Sequence, residues 1–594
     1  MIFSKRDNPP EVPESQSVEG QGWRLDIVKS SDTGPFYPQI KEQSDEQSYR
    51  FFAGRIPGQK PTDDLPSGFS INNGDITAWE FPQGEPEGSW LALKFDRKRD
   101  IVSITCDLWL LQRWYYAEID GKWFFTNSLN FLRDVTGNRL RVERRAIPYM
   151  LLFGYMPGSV TPIQNVRSIA PGEVVSIDRG RLFNTIRKRV PVKRVSISPE
   201  GPSPSQNECD NAAESILNSL RQAVRLELEK IDSIVVPLSG GMDSRFLLGC
   251  AMEVLPHDRI TTYTYGHPRT FDFKFGVGLA KELGLHCVPL PMDRRPLEEI
   301  IKDGFKDAEG MTFVLPNSPM GSIREAALPE KSFVLSGYIG DAVYGSHDIE
   351  DNDPNHNTDE FLIEKAMAWA AGGYYNEVLP LLTSTDWDEM DFRGDLRKTP
   401  GETLPEKYER WHYEVHCVNR VNFALQKYRN RAFYLAPFIH RNVWEIAYNL
   451  PQRLRHSELA FFLAMEQGFP KLYRYPSARN AGFSVEMKHQ WIKKIRRGLQ
   501  RAMVRFDDSI WRTTGRFAYY SPNQNYGHRR ELNQPMYHTG VHKCIEDLLS
   551  ISILNPLELK RFRQRYDRRQ GVSTHTIRAL FTIREWERQF GDLR

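Results

Sequence analysis

Two glycines among hydroxyl and carboxylate side chains are the residues of this sequence best suited to chemistry. They belong to the stretch Leu238-Ser239-Gly240-Gly241-Met242-Asp243-Ser244. Glycine lets the backbone approach an anion closely, and the first turn of a following helix directs unpaired amides towards it. Ser239 and Ser244 add hydroxyl donors, and Asp243 is a candidate ligand for Mg²⁺. The stretch predicts a phosphate site, with a capped Gly-Gly turn as the alternative.

The apolar pattern around this stretch alternates buried strands with helices. Strands are expected at 233–238, 259–265, 286–290 and 332–336, and helices at 208–229, 243–254, 272–284 and 295–308. This alternation predicts an α/β fold with a doubly wound parallel sheet, which binds ligands at the carboxyl ends of its strands. The glycine stretch follows the first of these strands directly. No Walker A or GxGxxG pattern competes with it.

The N-terminal third of the chain has the texture of a separate, sheet-rich domain. Strands are expected at 90–95, 101–110, 113–118, 123–126 and 173–178, with a hairpin turn at Asp120-Gly121 and a helical stretch near 142–154. A Pro/Ser/Gly-rich segment at 196–205 is typical of a linker, and the chain beyond about 358 is helical in texture. We therefore predict domains at 1–195, 207–485 and 486–594, with the linker at 196–206 and a basic helical extension last.

Composition excludes several classes of protein. Lys and Arg number 79 against 76 Asp and Glu, a balance that argues against a nucleic-acid partner. The six cysteines include no CxxC pair, so neither a disulfide scaffold nor a structural zinc site is expected. The sequence shows no secretory signal and no apolar run long enough to span a bilayer. A cytoplasmic location is the prediction.

Five segments resemble the asparagine synthetase family of the ATP pyrophosphatase superfamily, whose phosphate loop reads SGGxDS. The first is 238–244; the others, in order, are 124–132, 153–173, 336–341 and the pair 436–438 and 450–451. The resemblance covers roughly residues 100 to 485. It implies a glutaminase-like (Ntn) N-terminal domain followed by a synthetase domain.

The resemblance implies a reaction in which Mg²⁺-ATP adenylates a carboxylate, pyrophosphate leaves, and an amine attacks to give an amide. It implies that pyrophosphate and metal are held by Ser239, Gly240, Gly241, Asp243 and Ser244. Adenosine would contact Leu238, Tyr265 and Gly337, and Asp341 would be the second metal ligand. ATP and Mg²⁺ are thus the expected cofactors, and the expected partners are a small-molecule or peptide carboxylate and an amine acceptor.

The sequence departs from the family pattern at three positions. Ile2 stands where glutamine-dependent members have a nucleophilic cysteine, which predicts a degenerate glutaminase domain without its activity. Tyr338 resembles the tyrosine of β-lactam synthetases that takes part in deprotonating the amine; a packing or substrate-binding role is the alternative. Asn480 stands where relatives place a lysine that stabilises adenylation, with Arg479 and Lys471 as candidates to replace that charge.

We therefore expect an AMP-forming amide ligase that is independent of glutamine. Three substrate classes stay open: ammonia-dependent asparagine formation, lactam or macrolactam closure as in β-lactam synthetases and lasso-peptide cyclases, and amidation of a sugar acid or other metabolite. The competing class is a non-catalytic ATP-binding or scaffold protein, motivated by Asn480.

A basic stretch at 491–505 has the spacing of an amphipathic helix. Such a helix binds an anionic membrane surface or an acidic partner, or it docks on its own domain and leaves its basic face in solvent. The sequence favours the docked helix.

Overall fold

The structure is a computed structural model. It describes residues 1–5, 15–28, 39–57, 70–71, 79–80, 87–137, 140–186, 190, 203–290, 295–315, 329, 331–345, 375–383, 399–401, 404–426, 429, 431–484, 490–519, 522 and 535–591. Most of the predicted linker at 196–206 falls outside these ranges.

Two antiparallel six-stranded sheets make up the N-terminal third. Their strands, with a small hairpin of β6 and β7, are β1 (Ile2–Lys5), β2 (Ser15–Glu19), β3 (Trp23–Val28), β4 (Gln39–Ser44), β5 (Ser48–Arg55), β6 (Ser70–Ile71), β7 (Trp79–Glu80), β8 (Ser89–Asp96), β9 (Ile101–Cys106), β10 (Tyr115–Ile119), β11 (Lys122–Thr126), β12 (Val166–Ser168), β13 (Glu173–Asp178) and β14 (Arg181–Ile186). One sheet has the order β12-β10-β11-β1-β3-β2 and the other β14-β13-β9-β8-β5-β4. They share a core in which the rings of Phe3 and Phe95 pack edge to face.

Hydrogen bonds and backbone conformations in the turns explain which strand predictions are confirmed and which are wrong. Asp120 and Gly121 both have positive φ, as a two-residue hairpin requires, so the predicted turn between β10 and β11 is confirmed. The strand expected at 101–110 ends at Cys106 instead. The carboxylate of Asp107 accepts the amides of Trp109 and Leu111 at 3.0 and 3.1 Å, which turns the chain away from the sheet.

The second half of the chain contains the predicted parallel sheet. Its strands are β15 (Ile234–Pro237), β16 (Ile260–Tyr265), β17 (His286–Leu290), β18 (Ser332–Leu335) and β19 (Ala432–Leu435). Their order is β17-β16-β15-β18-β19, and every neighbouring pair is parallel. The α/β prediction is confirmed, whereas β19 lies in a region expected to be helical. Pairing with β18 along its whole length makes this short segment a strand.

The helices surround both sheet systems. They are α1 (Leu129–Thr136), α2 (Ala146–Phe153), α3 (Gln206–Leu228), α4 (Asp243–Met252), α5 (Phe271–Glu282), α6 (Leu297–Ala308), α7 (Gly340–Val343), α8 (Tyr375–Val378), α9 (Leu404–Trp411), α10 (Asn422–Gln426), α11 (Arg441–Asn449), α12 (Gln452–Arg455), α13 (Leu459–Gly468), α14 (Pro470–Arg474), α15 (Gln490–Thr514), α16 (Pro535–Leu548), α17 (Pro556–Asp567) and α18 (Thr574–Phe590). A π-helix, His412–Val421, joins α9 to α10. Within the described residues, no helix has both the length and the apolar character needed to cross a membrane.

The two halves of the chain are joined by shared packing. One core combines side chains of α1 and α2 with those of α6, α16, α17 and α18. A buried polar contact adds to it: Arg55 of β5 donates to Glu227 of α3 at 2.6 Å, and His440 lies 2.9 Å from the same carboxylate. The domain boundaries expected from sequence stay predictions.

Candidate active site

The candidate site lies where the order of the parallel sheet reverses. β15 is central, and the chain adds β16 on one side of it and β18 on the other. A crevice forms at such a switch point, outside the carboxyl ends of the two strands. The glycine stretch leaves the end of β15, and residues 336–339 leave the end of the adjacent β18. The fold therefore brings together two loops that are about a hundred residues apart.

The glycine stretch is held open by its own side chains and by α5. The amide of Gly241 donates to Ser239 Oγ at 3.1 Å, and the amide of Gly240 donates to the carboxylate of Asp272 at 3.1 Å. The hydroxyl oxygens of Ser239 and Ser244 lie 3.5 Å apart. A Cβ at Gly240 would come within 2.7 Å of the Asp272 carboxylate and would displace that side chain from the Gly240 amide. The result is a turn of amides and hydroxyls at the start of α4.

Arg245 ties this turn to a distant segment. Its guanidinium donates to the carbonyl oxygens of Gly240 at 3.1 Å, Tyr475 at 3.0 Å and Pro476 at 2.6 Å. Burial lowers its pKa to about 10, so it stays charged at neutral pH. A fourth carbonyl, that of Leu472, accepts from the guanidinium at 3.4 Å. Arg245 was not predicted from the sequence, because no spacing rule connects it to these four carbonyl groups.

Asp243 and Asp341 meet across the two loops. The backbone amide of Asp341 donates to the Asp243 carboxylate. Added Cβ atoms at Gly337 and Gly340 would lie 3.1 and 3.0 Å from the side chain of Asp243, so the second loop packs closely on the first. Burial, together with the charge of Asp341, raises the pKa of Asp243 well above its ordinary value. Two carboxylates so placed are the donor set of a hard divalent cation.

A third acid, Glu458, was not expected at the site. It is 2 % exposed, and its charge acts on Asp243. Ser457 and Glu458 both have left-handed backbone conformations, with φ of 52° and 62°. Such strain in residues other than glycine persists where surrounding structure imposes it, often at functional sites. The carboxylate of Glu458 pairs with Arg479, whose guanidinium also lies over the ring of Phe462.

The segment 477–483 contacts the glycine stretch on one side and a buried lysine on the other. The amide of Ala478 donates to the carbonyl of Gly240 at 3.4 Å. Two residues on, Asn480 Oδ1 accepts from the ammonium of Lys493 at 3.5 Å. Lys493 belongs to α15 and is only 5 % exposed, and among the described residues no carboxylate lies within ion-pairing distance of it. The two residues that were expected to replace the family lysine are placed differently from Lys493. Arg479 is paired with Glu458, and Lys471 is exposed.

Three residues that were expected at the site have side chains that pack in apolar surroundings. Leu238 is buried in the apolar core, although its carbonyl accepts from Thr264 at the loop. Tyr265 ends β16 and packs with Tyr263. Tyr338 is buried, and its hydroxyl has no hydrogen-bond partner among the described residues.

The environment of Tyr338 disfavours a phenolate. Burial is the main cause that raises its pKa well above the ordinary value of 10. A phenol with so high a pKa is a poor base at neutral pH. The role of Tyr338 as a base stays a prediction that no observation tests, and its buried hydroxyl, without a partner among the described residues, favours the alternative packing role.

The residues that are present fit Mg²⁺-ATP. Amides, hydroxyls and the start of α4 supply donors for phosphate oxygens, and Asp243 and Asp341 supply carboxylates for the metal. Gly337 and Gly340 allow the second loop to pack directly on Asp243, which brings Asp341 to the same place.

Comparison with known proteins agrees with this arrangement. The asparagine synthase family model matches residues 215–461, which contain both loops, all five parallel strands and Glu458. No curated protein matches the chain. Residues 215–461 are therefore an asparagine synthase domain, the domain of ATP-dependent amide-forming ligases.

Proposed function

We propose that this protein is a glutamine-independent ligase that converts a carboxylate, an amine and ATP into an amide, AMP and pyrophosphate. The observation that carries the proposal is the meeting of the 238–244 loop with Asp341 at the switch point of the parallel sheet. Donors for a pyrophosphate and ligands for a cation occur together there. The loop suits a pyrophosphate leaving group because the hydroxyls of Ser239 and Ser244 and the first turn of α4 offer it hydrogen-bond donors.

The residues act in two steps. In the first, a carboxylate oxygen of the acid attacks the α-phosphorus, and the bond from that phosphorus to the bridging oxygen breaks. Bound Mg²⁺, held by Asp243 and Asp341, would neutralise the charge that develops on the leaving pyrophosphate. In the second, the amine nitrogen attacks the activated acyl carbon, AMP leaves, and the amine loses a proton. The chain's part is to orient the acid and to stabilise the leaving anions.

Lys493 supplies the cation that Asn480 does not. Its ammonium is buried next to Asn480 and has no carboxylate to neutralise it among the described residues. A buried, unneutralised ammonium is costly unless an anion arrives to pair with it. Ala478, two residues before Asn480, contacts the carbonyl of Gly240, so this segment links Lys493 to the loop on which an anion would bind. This location weakens the case for a non-catalytic protein, which rested on Asn480.

Independence from glutamine is supported by the cysteines. Cys106, Cys250, Cys417 and Cys544 are buried, and Cys209 and Cys287 are partly buried. Burial raises the pKa of the Cys250, Cys417 and Cys544 thiols. A glutaminase that works through cysteine needs an accessible thiolate. Ile2 itself is fully buried within β1.

The acid and the amine belong to one of three classes: ammonia with aspartate, a single molecule that closes a lactam or macrolactam, or a sugar acid or other metabolite with an amine donor. The absence of an activated thiol favours the last two, since a primary asparagine synthetase needs a nitrogen source. Both demand a carboxylate and an amine held close to the same crevice.

Pyrophosphate release tests the proposal directly. Purified protein is supplied with Mg²⁺-ATP, pooled candidate acids and hydroxylamine, which traps an activated acyl group as a hydroxamate. We expect pyrophosphate, AMP and hydroxamate in equal amounts, all lost in Asp243→Ala. Asp232→Ala, an exposed acid just before β15, is the matched control and keeps activity.

Two results would contradict the proposal. Release of ADP and phosphate would show a different reaction, and ATP binding with no product from any acid would favour a non-catalytic ATP-binding role. Glutamine dependence is tested separately, because ammonia released from glutamine by the same protein would overturn that part alone.

A further inference from the structure

The long basic helix α15 turns its apolar side towards solvent. Its exposed large side chains are Trp491 at 60 %, Ile495 at 53 %, Leu499 at 61 %, Met503 at 46 % and Phe506 at 68 %. They recur every three or four residues and so form a single stripe, which we call the α15 stripe. At 1.5 Å per residue the stripe is about 22 Å long. The docked helix favoured by the sequence analysis is present, but with the opposite side buried.

Polar contacts hold the inner side of α15 against the protein. Lys493, Gln500 and Asp507, spaced seven residues apart, are the buried polar positions. The carboxylate of Asp507 accepts the amide of Tyr519 at 2.6 Å. The guanidinium of Arg496 lies 4.5 Å from the ring of Phe483, and that of Arg497 donates to the carbonyl of Arg479 at 2.6 Å. The helix is thus fixed in this orientation next to the candidate active site.

Basic residues border the α15 stripe along one edge. Lys494, Arg501, Arg505 and Arg512 are exposed and project within about 40° of one another around the helix axis. The whole helix carries seven Lys and Arg against two Asp. An apolar stripe beside a row of cations is the pattern of a helix that lies in the headgroup region of an anionic bilayer. The charge therefore indicates what covers the stripe.

We propose that the α15 stripe docks this protein on an anionic lipid surface. Trp491, Leu499 and Phe506 enter the acyl boundary, while Lys494, Arg501 and Arg505 meet the headgroups. The proposal goes beyond the ligase function, since lipid binding needs neither ATP nor an acid.

Co-sedimentation of the full chain with sucrose-loaded vesicles tests this docking. We expect binding to phosphatidylcholine–phosphatidylserine vesicles at roughly 3:1, little binding to phosphatidylcholine alone, and weaker binding at high salt. The triple variant W491A/L499A/F506A should lose about tenfold or more in partitioning. The matched control L182A/F183A/I186A alters three exposed apolar residues of β14 and should bind as wild type.

The charge variant K494E/R501E/R505E should lose the preference for anionic vesicles while leaving thermal unfolding unchanged. Equal sedimentation of wild type and W491A/L499A/F506A would overturn the proposal, as would wild-type protein that ignores both vesicles. If wild type instead forms dimers that the triple variant lacks, a second copy of the chain covers the stripe and the lipid proposal fails. None of these readouts depends on ligase activity.

A separate observation points to a metal site in the C-terminal helices. His538 and His542 lie four residues apart on one face of α16, and Asp567 ends the adjacent α17. One ligand atom from each lies within 4.8 Å of the other two, and His542 Nε2 is 2.6 Å from the Asp567 carboxylate. Ligands of a tetrahedral Zn²⁺ stand about 3.3 Å apart. Small side-chain rotations therefore suffice to bring all three onto one ion.

We infer that His538, His542 and Asp567 bind Zn²⁺ with a fourth position open to water. The chain is stripped with a chelator and titrated with zinc against a chromophoric competitor. The zinc affinity of one site should fall at least about tenfold in H538A/H542A and in D567N. It should be unchanged in the control H257A/H286A, which alters two exposed histidines. An unchanged number of bound zinc ions in the first two variants, or no zinc bound by wild type, would overturn the assignment.

Discussion

Replacing Lys493 with methionine separates the charge of this side chain from its volume. The side chain is 5 % exposed, and its ammonium lies 3.5 Å from Asn480 Oδ1, with no carboxylate at ion-pairing distance among the described residues. Methionine fills a similar space without a charge. The variant should therefore fold, and its midpoint of thermal unfolding should be unchanged or higher, because a buried unneutralised charge is removed.

The expected loss of rate follows from Coulomb's law. The Lys493 contact at Asn480 is two residues along the chain from Ala478, whose amide contacts Gly240, so an anion on the loop lies on the order of 10 Å from the ammonium. At an effective dielectric constant of about 20, two unit charges at that distance interact by about 1.7 kcal/mol. Each 1.36 kcal/mol is about tenfold in rate, so kcat for pyrophosphate release should fall about 10- to 20-fold.

The assay is single-turnover pyrophosphate release, with Lys494→Met as the matched control. Lys494 is the next residue, exposed on the outer side of α15, and its loss should leave the rate unchanged. Moving the cation to position 480 supplies a second test: Asn480→Lys together with Lys493→Met should recover most of the lost rate. A Lys493→Met protein that retains full activity would refute the electrostatic reasoning, and a variant that is merely unfolded would be recognised by its melting curve.

The remaining predictions concern buried polar groups. Glu227→Gln should lower the free energy of unfolding by about 3 kcal/mol in urea melts, because it breaks a buried contact to both Arg55 and His440, whereas exposed Glu229→Gln should not. Burial lowers the pKa of His440, but the bond and charge of Glu227 outweigh it and raise that pKa above 6.5. The stability that His440 contributes is therefore complete below pH 6.5 and lost as the pH rises through the raised pKa; His440→Asn should remove that pH dependence from the unfolding free energy. Tyr338→Phe should keep ligase activity within about threefold. Its free energy of unfolding should be unchanged or higher by up to about 1 kcal/mol, because the substitution removes a buried hydroxyl without a partner among the described residues. Abolished amide formation in a folded variant would instead support Tyr338 as the base.

Local patterns account for most of what could be predicted here. The hairpin at Asp120-Gly121, the parallel strands from β15 to β18 and the phosphate loop before α4 each depend on a few consecutive residues. Asp341 was placed at the site by resemblance, and the sheet order explains why it belongs there. The five strands of the first ninety residues that precede β6 were missed because polar residues interrupt their apolar positions, so their pairing partners decide their structure.

The rest of the site required the tertiary structure. Glu458 acts on Asp243 from a strained turn, and Lys493 contacts Asn480 from a late helix; both lie more than two hundred residues beyond the phosphate loop, and no spacing rule connects them to it.

Helix α15 shows most directly what sequence determines and what it leaves open. Its periodicity alone establishes an apolar face and a cationic face. Which face is buried depends on the surface that receives the helix, and here that surface offers the Asn480 carbonyl, the ring of Phe483 and the amide of Tyr519. These groups bind polar and cationic side chains, so they turn Lys493, Arg496 and Asp507 inward and leave the apolar stripe in solvent. A helix carries its pattern in its sequence, but its orientation is decided by partners that only the folded chain brings together.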